Sequence, residues 1–288
     1  MPALDERQAA LLRLLGRLEL AGSQSLFKLI YAEQSERLMR RDLLYLYRHG
    51  LIWRTEAPAS ALARTVRRLA GGKAMPHGGR RPYLYGLTHQ GRSALEQLEQ
   101  EPDERSLAAL RARDPRGQVA APSTLGHDMQ VSWWCASLLL GLLQLPSCTS
   151  IFLQVEFTIH RRQRIDAMVV LRIDPAVQRS SDRLPWFDGT PRRPGEHEIR
   201  LALELDTGSE ALPVLLQKVV SYRDLTAEGV YHEAFGGPVM PVFVVQTARR
   251  AAQLAREFQA AWPGGWGLVS TPWSADHPQF GTLYGDYK

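Results

Sequence analysis

The stretch from Arg200 to Tyr222, RLALELDTGSEALPVLLQKVVSY, carries the residues best suited to chemistry. Strand side chains repeat every two residues, so Leu201, Leu203 and Leu205 fall on one face and Ala202, Glu204 and Asp206 on the other. Two carboxylates therefore point the same way from the end of a largely apolar strand. Thr207, Gly208 and Ser209 make a turn, and a helix follows with Gln217, Lys218 and, one turn later, Tyr222. Upstream, the predicted strand 164–171 sets a third acid, Asp166, at the start of an apolar run. Three carboxylates and a lysine on strand ends and an adjoining helix suit a divalent cation, Mg²⁺ or Mn²⁺, held beside a phosphate. The same spacing fits solvated strand-end acids with a lysine paired to one of them, and both readings stand.

Charge adds a second candidate region. The chain of 288 residues has a net charge of +5, but Arg37 to Arg81 alone holds eleven Lys or Arg against two Asp or Glu, so the remainder is slightly acidic. A local basic surface of this kind suits a polyanion such as nucleic acid, while a solvated charged face is the plainer alternative. The length allows one or two domains with ample core. No run of eighteen apolar residues and no charged-apolar-small leader pattern occurs, so a cytoplasmic protein without a membrane span is expected. Cys135 and Cys148 form no CxxC pair, which argues against a disulfide framework or a zinc site.

The elements that must position these residues can be read in order. Residues 5–20 have leucines at helical spacing, Gly22 breaks the helix, and Ser23 is expected to cap a short second one. A third helix runs over 36–49 with Leu38, Leu43, Leu44 and Leu46 inward and Arg37, Arg40, Arg41, Tyr45 and Arg48 on its other face. Gly50 ends it as a C′ glycine. A strand at 51–55, a basic excursion over 57–82 and a returning strand at 83–87 lead to Thr88, an N-cap for a helix from His89. This order matches the plan of a winged helix-turn-helix, in which the third helix enters the major groove. Arg40 and Arg41 suit base or phosphate contacts, and Arg64, Arg67, Arg68, Lys73, Arg80 and Arg81 suit flanking phosphates.

Residues 1–100 are thus expected to form the DNA-binding domain, 101–123 a polar linker, and 124–288 a second domain. The second domain opens with a strongly apolar helix from Leu125 to about Leu145, carrying His127 in its first turn. A lone histidine there is most often structural. Strands follow at 151–160, 164–173, 201–206, 241–247 and 266–270, with helices after the third and fourth and an unpatterned insertion at 175–198. The expected class is α/β (α+β), with a mixed sheet covered by helices.

Together these features resemble the replication-relaxation family, proteins of plasmid and other mobile-element replication and mobilisation. The resemblance rests on YxLTxxG (Tyr85, Leu87, Thr88, Gly91), the LGH of Leu125 to His127, the RIDA of Arg164 to Ala167, ALELDTGSE with QKVVSY, and PVFVVQTARR. The C-terminal half also resembles the PD-(D/E)XK nuclease core. That resemblance implies catalytic roles for His127, Asp166, Glu204, Lys218 and Tyr222, with Gln217 as a further counterpart and Asp166, Glu204 and Asp206 as ligands of Mg²⁺ or Mn²⁺. The lysine expected two residues after Glu204 is Asp206 here, and Lys218 on the next helix is the substitute. The Gln217 to Tyr222 spacing is one residue too long for a one-turn pair.

Three functions remain open on sequence. The first is a DNA-binding protein of a plasmid or other mobile element, acting in replication, mobilisation or their control with partner proteins. The second is a metal-dependent DNA nuclease or nickase targeted by its winged helix. The third is a transcriptional regulator whose C-terminal domain dimerises or binds a ligand. A homodimer on double-stranded DNA is expected in each.

Overall fold

A computed structural model of the chain describes residues 3–57, 83–98, 122–143, 148–159, 163–173, 197–206, 208, 210–245, 247–265 and 267–270. Asp5 starts the first helix, α1 (Glu6–Leu18), through a capping box in which its side chain accepts from the Gln8 amide and the Gln8 side chain accepts from the Asp5 amide. Leu11, Leu12, Leu14, Leu15 and Leu18 of this helix are fully buried. Glu19 follows with φ +59°, an uncommon value for a non-glycine residue, and its carboxylate is held by Arg92 at 2.5 Å.

Strand β1 (Ala21–Gly22), absent from the sequence expectations, leads into α2 (Ser23–Ile30). The N-cap of α2 is Gly22, without a side-chain cap bond, so Ser23 does not have the capping role its type suggested. Ser35 caps α3 (Glu36–Arg48) by accepting from the Leu38 amide. At its other end Gly50, with φ +68°, donates to Tyr47 O, and the Leu51 amide donates to Leu46 O. That bond pair is the Schellman motif, as the C′ glycine led one to expect.

β2 (Ile52–Glu56) and β3 (Tyr83–Leu87) pair antiparallel, and β1 adds to the other edge of β3, giving the order β1-β3-β2. Thr88 caps α4 (His89–Leu98) by accepting from the Gly91 amide. Gly91 is required there by close approach, since a Cβ would meet the Leu51 carbonyl oxygen at 1.9 Å.

The apolar helix α5 (Pro122–Leu142), assigned on sequence to the second domain, groups instead with the N-terminal unit. Its Leu125 and Met129 join a buried cluster with Leu20, Ala57 and Leu84, against which Trp53 packs. Buried Ser132 donates to the Leu20 carbonyl. The physical reason is that a long apolar helix does not encode its partner, and here the gap beside β1 and α2 accepts it.

The second unit is a five-stranded mixed sheet of β4 (Cys148–Ile159), β5 (Gln163–Ile173), β6 (His197–Asp206), β7 (Met240–Val245) and β8 (Leu268–Ser270), in that order. The first three pair antiparallel, and β6 to β7 and β7 to β8 run parallel. The crossover from β6 to β7 contains α6 (Leu212–Ala227) and a short α7 (Val230–Phe235) that the sequence pattern missed, while α8 (Ala248–Ala261) joins β7 to β8. Met168, Ala202, Phe243 and Val245 of the sheet pack against Leu215, Val219, Tyr222 and Leu225 of α6 and Leu254 and Phe258 of α8. The chain is therefore α/β, with the expected mixed sheet and helices. No described helix is long and apolar enough to cross a membrane.

Candidate functional site

Two groups of residues have the chemistry of a site, one in each unit. The first is the outer face of α3. Its inward face is Met39, Asp42, Leu43 and Leu46, all buried. Leu44, expected inward, is 38% exposed, because it lies two residues, roughly 200° round the helix, from the core-facing Asp42. Asp42 is wholly buried and fully engaged. Its Oδ2 accepts from Arg7 Nε at 3.2 Å and from the Tyr31 hydroxyl at 2.9 Å, and its Oδ1 accepts from Arg41 at 3.3 Å. Burial, and then the Asp42 carboxylate, push the Tyr31 phenol well above its ordinary range, so it stays a proton donor. This hub ties α3 to α1 and to the residue that ends α2.

The expected DNA-facing residues of α3 divide accordingly. Arg37, Arg40, Arg41 and Arg48 are exposed. Arg40 pairs with Glu36 at 2.7 Å across one helical turn, with both side chains largely in solvent, and such a pair yields easily to a stronger anion. Tyr45 is turned away: its hydroxyl donates to Ala3 O at 3.1 Å and its ring lies against that of His49 in a tilted pair. Arg64, Arg67, Arg68, Lys73, Arg80 and Arg81 lie outside the described residues. Tyr47, not anticipated on sequence, is 41% exposed on the same helix.

The second group sits where β6 meets α6 and α8. Glu204 and Asp206 are not solvated strand-end acids, being 1% and 2% exposed. The Ala202, Glu204, Asp206 face is the one under the helices, so each acid meets a helix-borne cation. Glu204 Oε2 accepts from Lys218 Nζ at 2.9 Å and Oε1 from the Tyr222 hydroxyl at 2.9 Å. Lys218 also reaches Glu210 at 3.1 Å. Asp206 Oδ2 accepts from Arg250 Nε at 3.0 Å, Oδ1 accepts from the Gly208 amide at 2.7 Å, and Arg250 donates onward to Glu210 O. Arg250 stands in the first turn of α8, whose N-cap is Thr247. Asp166 lies one residue before the paired run of β5 and β6, where its Oδ2 accepts from the Leu205 amide at 2.6 Å.

Burial pushes the Glu204 carboxyl up to about 7; Lys218 pulls the other way, and Asp166 adds to the rise. Burial alone would lower the Lys218 ammonium, but Glu204 outweighs it and the net displacement is upward. Tyr222, fully buried, is raised by burial and then by Glu204. Its hydroxyl is a fixed donor and has no access to an external electrophile.

The structure thus brings together Asp166, Glu204, Lys218 and Tyr222, with Asp206 beside them. Gln217 is exposed, and His127 is carried by α5 of the other unit. As ligands the acids are committed elsewhere. Both Glu204 oxygens and both Asp206 oxygens accept hydrogen bonds, and among the described residues no group of three His, Cys, Asp or Glu is placed to hold a metal ion.

No match was found among curated proteins or solved structures. Compared with protein-family descriptions, the chain matches replication-relaxation over residues 12–239, a span running from within α1 to just before β7 that takes in α3 and, of the second group, all but Arg250. The chain belongs to the replication-relaxation family and is a replication- or mobilisation-related protein.

Proposed function

We propose that the protein binds double-stranded DNA through the outer face of α3 and acts from there in the replication or mobilisation of a mobile element. The observation that carries this is the exposed run Arg37, Arg40, Arg41 and Arg48 on a helix fixed from behind by buried Asp42. Three helices followed by β2 and β3, with β1 on the far edge of β3, support reading the unit as a winged helix-turn-helix with α3 in the major groove. The double variant Arg40→Ala/Arg41→Ala is expected to stay folded and to lose duplex binding in a mobility-shift titration. Wild-type affinity in that variant would remove α3 as the reading helix.

A second reading, a DNA nuclease or nickase, is favoured by Lys218. From α6 its ammonium reaches Glu204 and so occupies the role left vacant by Asp206. The antiparallel β4-β5-β6 run followed by a parallel β7 also suits a PD-(D/E)XK core. Supercoiled plasmid incubated with Mg²⁺, Mn²⁺ or EDTA, beside Asp166→Ala, separates the readings. Metal-dependent nicking lost in that variant would establish the nuclease; a band shift without cleavage leaves a DNA-binding protein on a nuclease-like scaffold.

A further inference from the structure

One cation beside α3 is held unlike the others. Arg54 is an exposed residue of β2, placed opposite Tyr85 in the β2/β3 register. Its guanidinium carbon lies 4.4 Å from the centre of the Tyr47 ring on α3 and 5.1 Å from that of Tyr83 on β3. Both are within cation–π range. Arg7, Arg40 and Arg41 each have a carboxylate partner, whereas no carboxylate among the described residues pairs with Arg54, including Glu56 two residues on. A guanidinium held by ring faces keeps its full charge and its N–H donors for an external anion, and its planar fork matches a phosphate. The tyrosine pair also fixes a side chain that would otherwise lose rotamer freedom on binding.

The position continues the α3 surface. Tyr83 and Tyr85 are 6.3 Å apart. Tyr47, one of the two rings against Arg54, belongs to α3 itself, so Arg54 borders the α3 surface. We propose that Arg54, clamped between Tyr47 and Tyr83, is a phosphodiester-binding point that anchors the DNA backbone beside the groove entered by α3. The inference rests on the DNA-binding reading. It adds a contact that carries no sequence information, because phosphate is the same at every step.

The test is a salt titration of duplex binding with wild type, Arg54→Ala and Arg54→Lys on two unrelated duplexes. Loss of one phosphate contact should lower the magnitude of the log K against log[salt] slope by about 0.9 and weaken binding about fivefold near 0.15 M salt, equally on both duplexes. Arg54→Lys keeps the charge without the planar fork, so it should hold the slope and lose affinity. If wild type shifts no duplex, the DNA-binding reading itself fails, and this inference with it. If wild type binds, Arg40→Ala/Arg41→Ala does not, and Arg54→Ala has the wild-type slope and affinity, then only the Arg54 assignment falls. Should Arg54→Ala not fold, Arg54→Lys with unchanged affinity overturns it equally.

Discussion

On α3 the cations turn outward over a single buried acid; beneath α6 and α8 they turn inward over several. Arg40 and Arg41 have side chains 75% and 65% exposed, while Lys218 and Arg250 are 28% and 23% exposed and lie across Glu204 and Asp206. The residue types are the same and the sequence patterns are comparable. What separates them is the number of acids each element must satisfy. Asp42 is served by Arg7, Tyr31 and Arg41 together, which leaves the rest of the α3 arginines to solvent. Glu204 and Asp206 take one helix cation each, and little positive charge remains for a partner. An exposed charge surplus is free to meet a partner, whereas a matched buried set is spent within the fold.

The pH profile should break this comparison most strongly. Glu204 has an ordinary carboxyl value of 4.5 and a folded value of about 7, so between these limits the folded protein holds a proton that the unfolded chain has released. Stability from this group is therefore greatest below the lower value and is lost as pH rises towards the upper, by about 3 kcal/mol. Denaturant unfolding from pH 4.5 to 7.5 should show that fall in wild type and its absence in Glu204→Gln. Parallel profiles would mean that Glu204 is ionised throughout and that Lys218 wins over burial.

Next in size is Asp42→Asn. The amide keeps an acceptor for Tyr31 but removes the charge facing Arg7 and Arg41, and hydrogen bonds to charged groups contribute about 2 kcal/mol each way. A loss of about 2 kcal/mol in denaturant unfolding, together with weaker duplex binding, would tie the hub to the orientation of α3. Full stability would make Asp42 dispensable.

Lys218→Ala should cost less, about 1 to 2 kcal/mol at pH 8, because Glu204 can escape isolation by taking up a proton. The same substitution at pH 5, where Glu204 is already protonated in the folded state, should cost visibly less. Equal losses at both pH values would show that Lys218 contributes by packing alone.

These differences were only partly legible in the sequence. Alternation placed Glu204 and Asp206 on one face correctly, and helical spacing put Lys218 within reach. Neither indicates that the face is covered, since burial depends on α8, whose position follows from the parallel β6 and β7 pairing far along the chain. The caps at Gly50 and Thr88 were readable because they rest on local backbone chemistry. β1 has two residues and no period to detect, and α7 has six, bounded by Gly229 and Gly236 at positive φ, which read as breakers. On α3 apolar counting favoured Leu44 over Asp42, because a polar residue is a core candidate only once its three partners are known.

The smallest stability effect belongs to Arg40→Ala/Arg41→Ala, and it sharpens the comparison most. Arg40 loses a solvent-exposed pair with Glu36, worth well under about 1 kcal/mol, and Asp42 keeps Arg7 and Tyr31 when Arg41 is removed. Unfolding free energy should therefore change by less than about 1 kcal/mol. Duplex affinity should fall by more than tenfold in low salt, with a shallower salt dependence, because two charges leave the exposed face. A loss of stability as large as that of Asp42→Asn would show that these arginines, like Lys218 and Arg250, serve the fold rather than a partner, and the two regions would then differ in degree only.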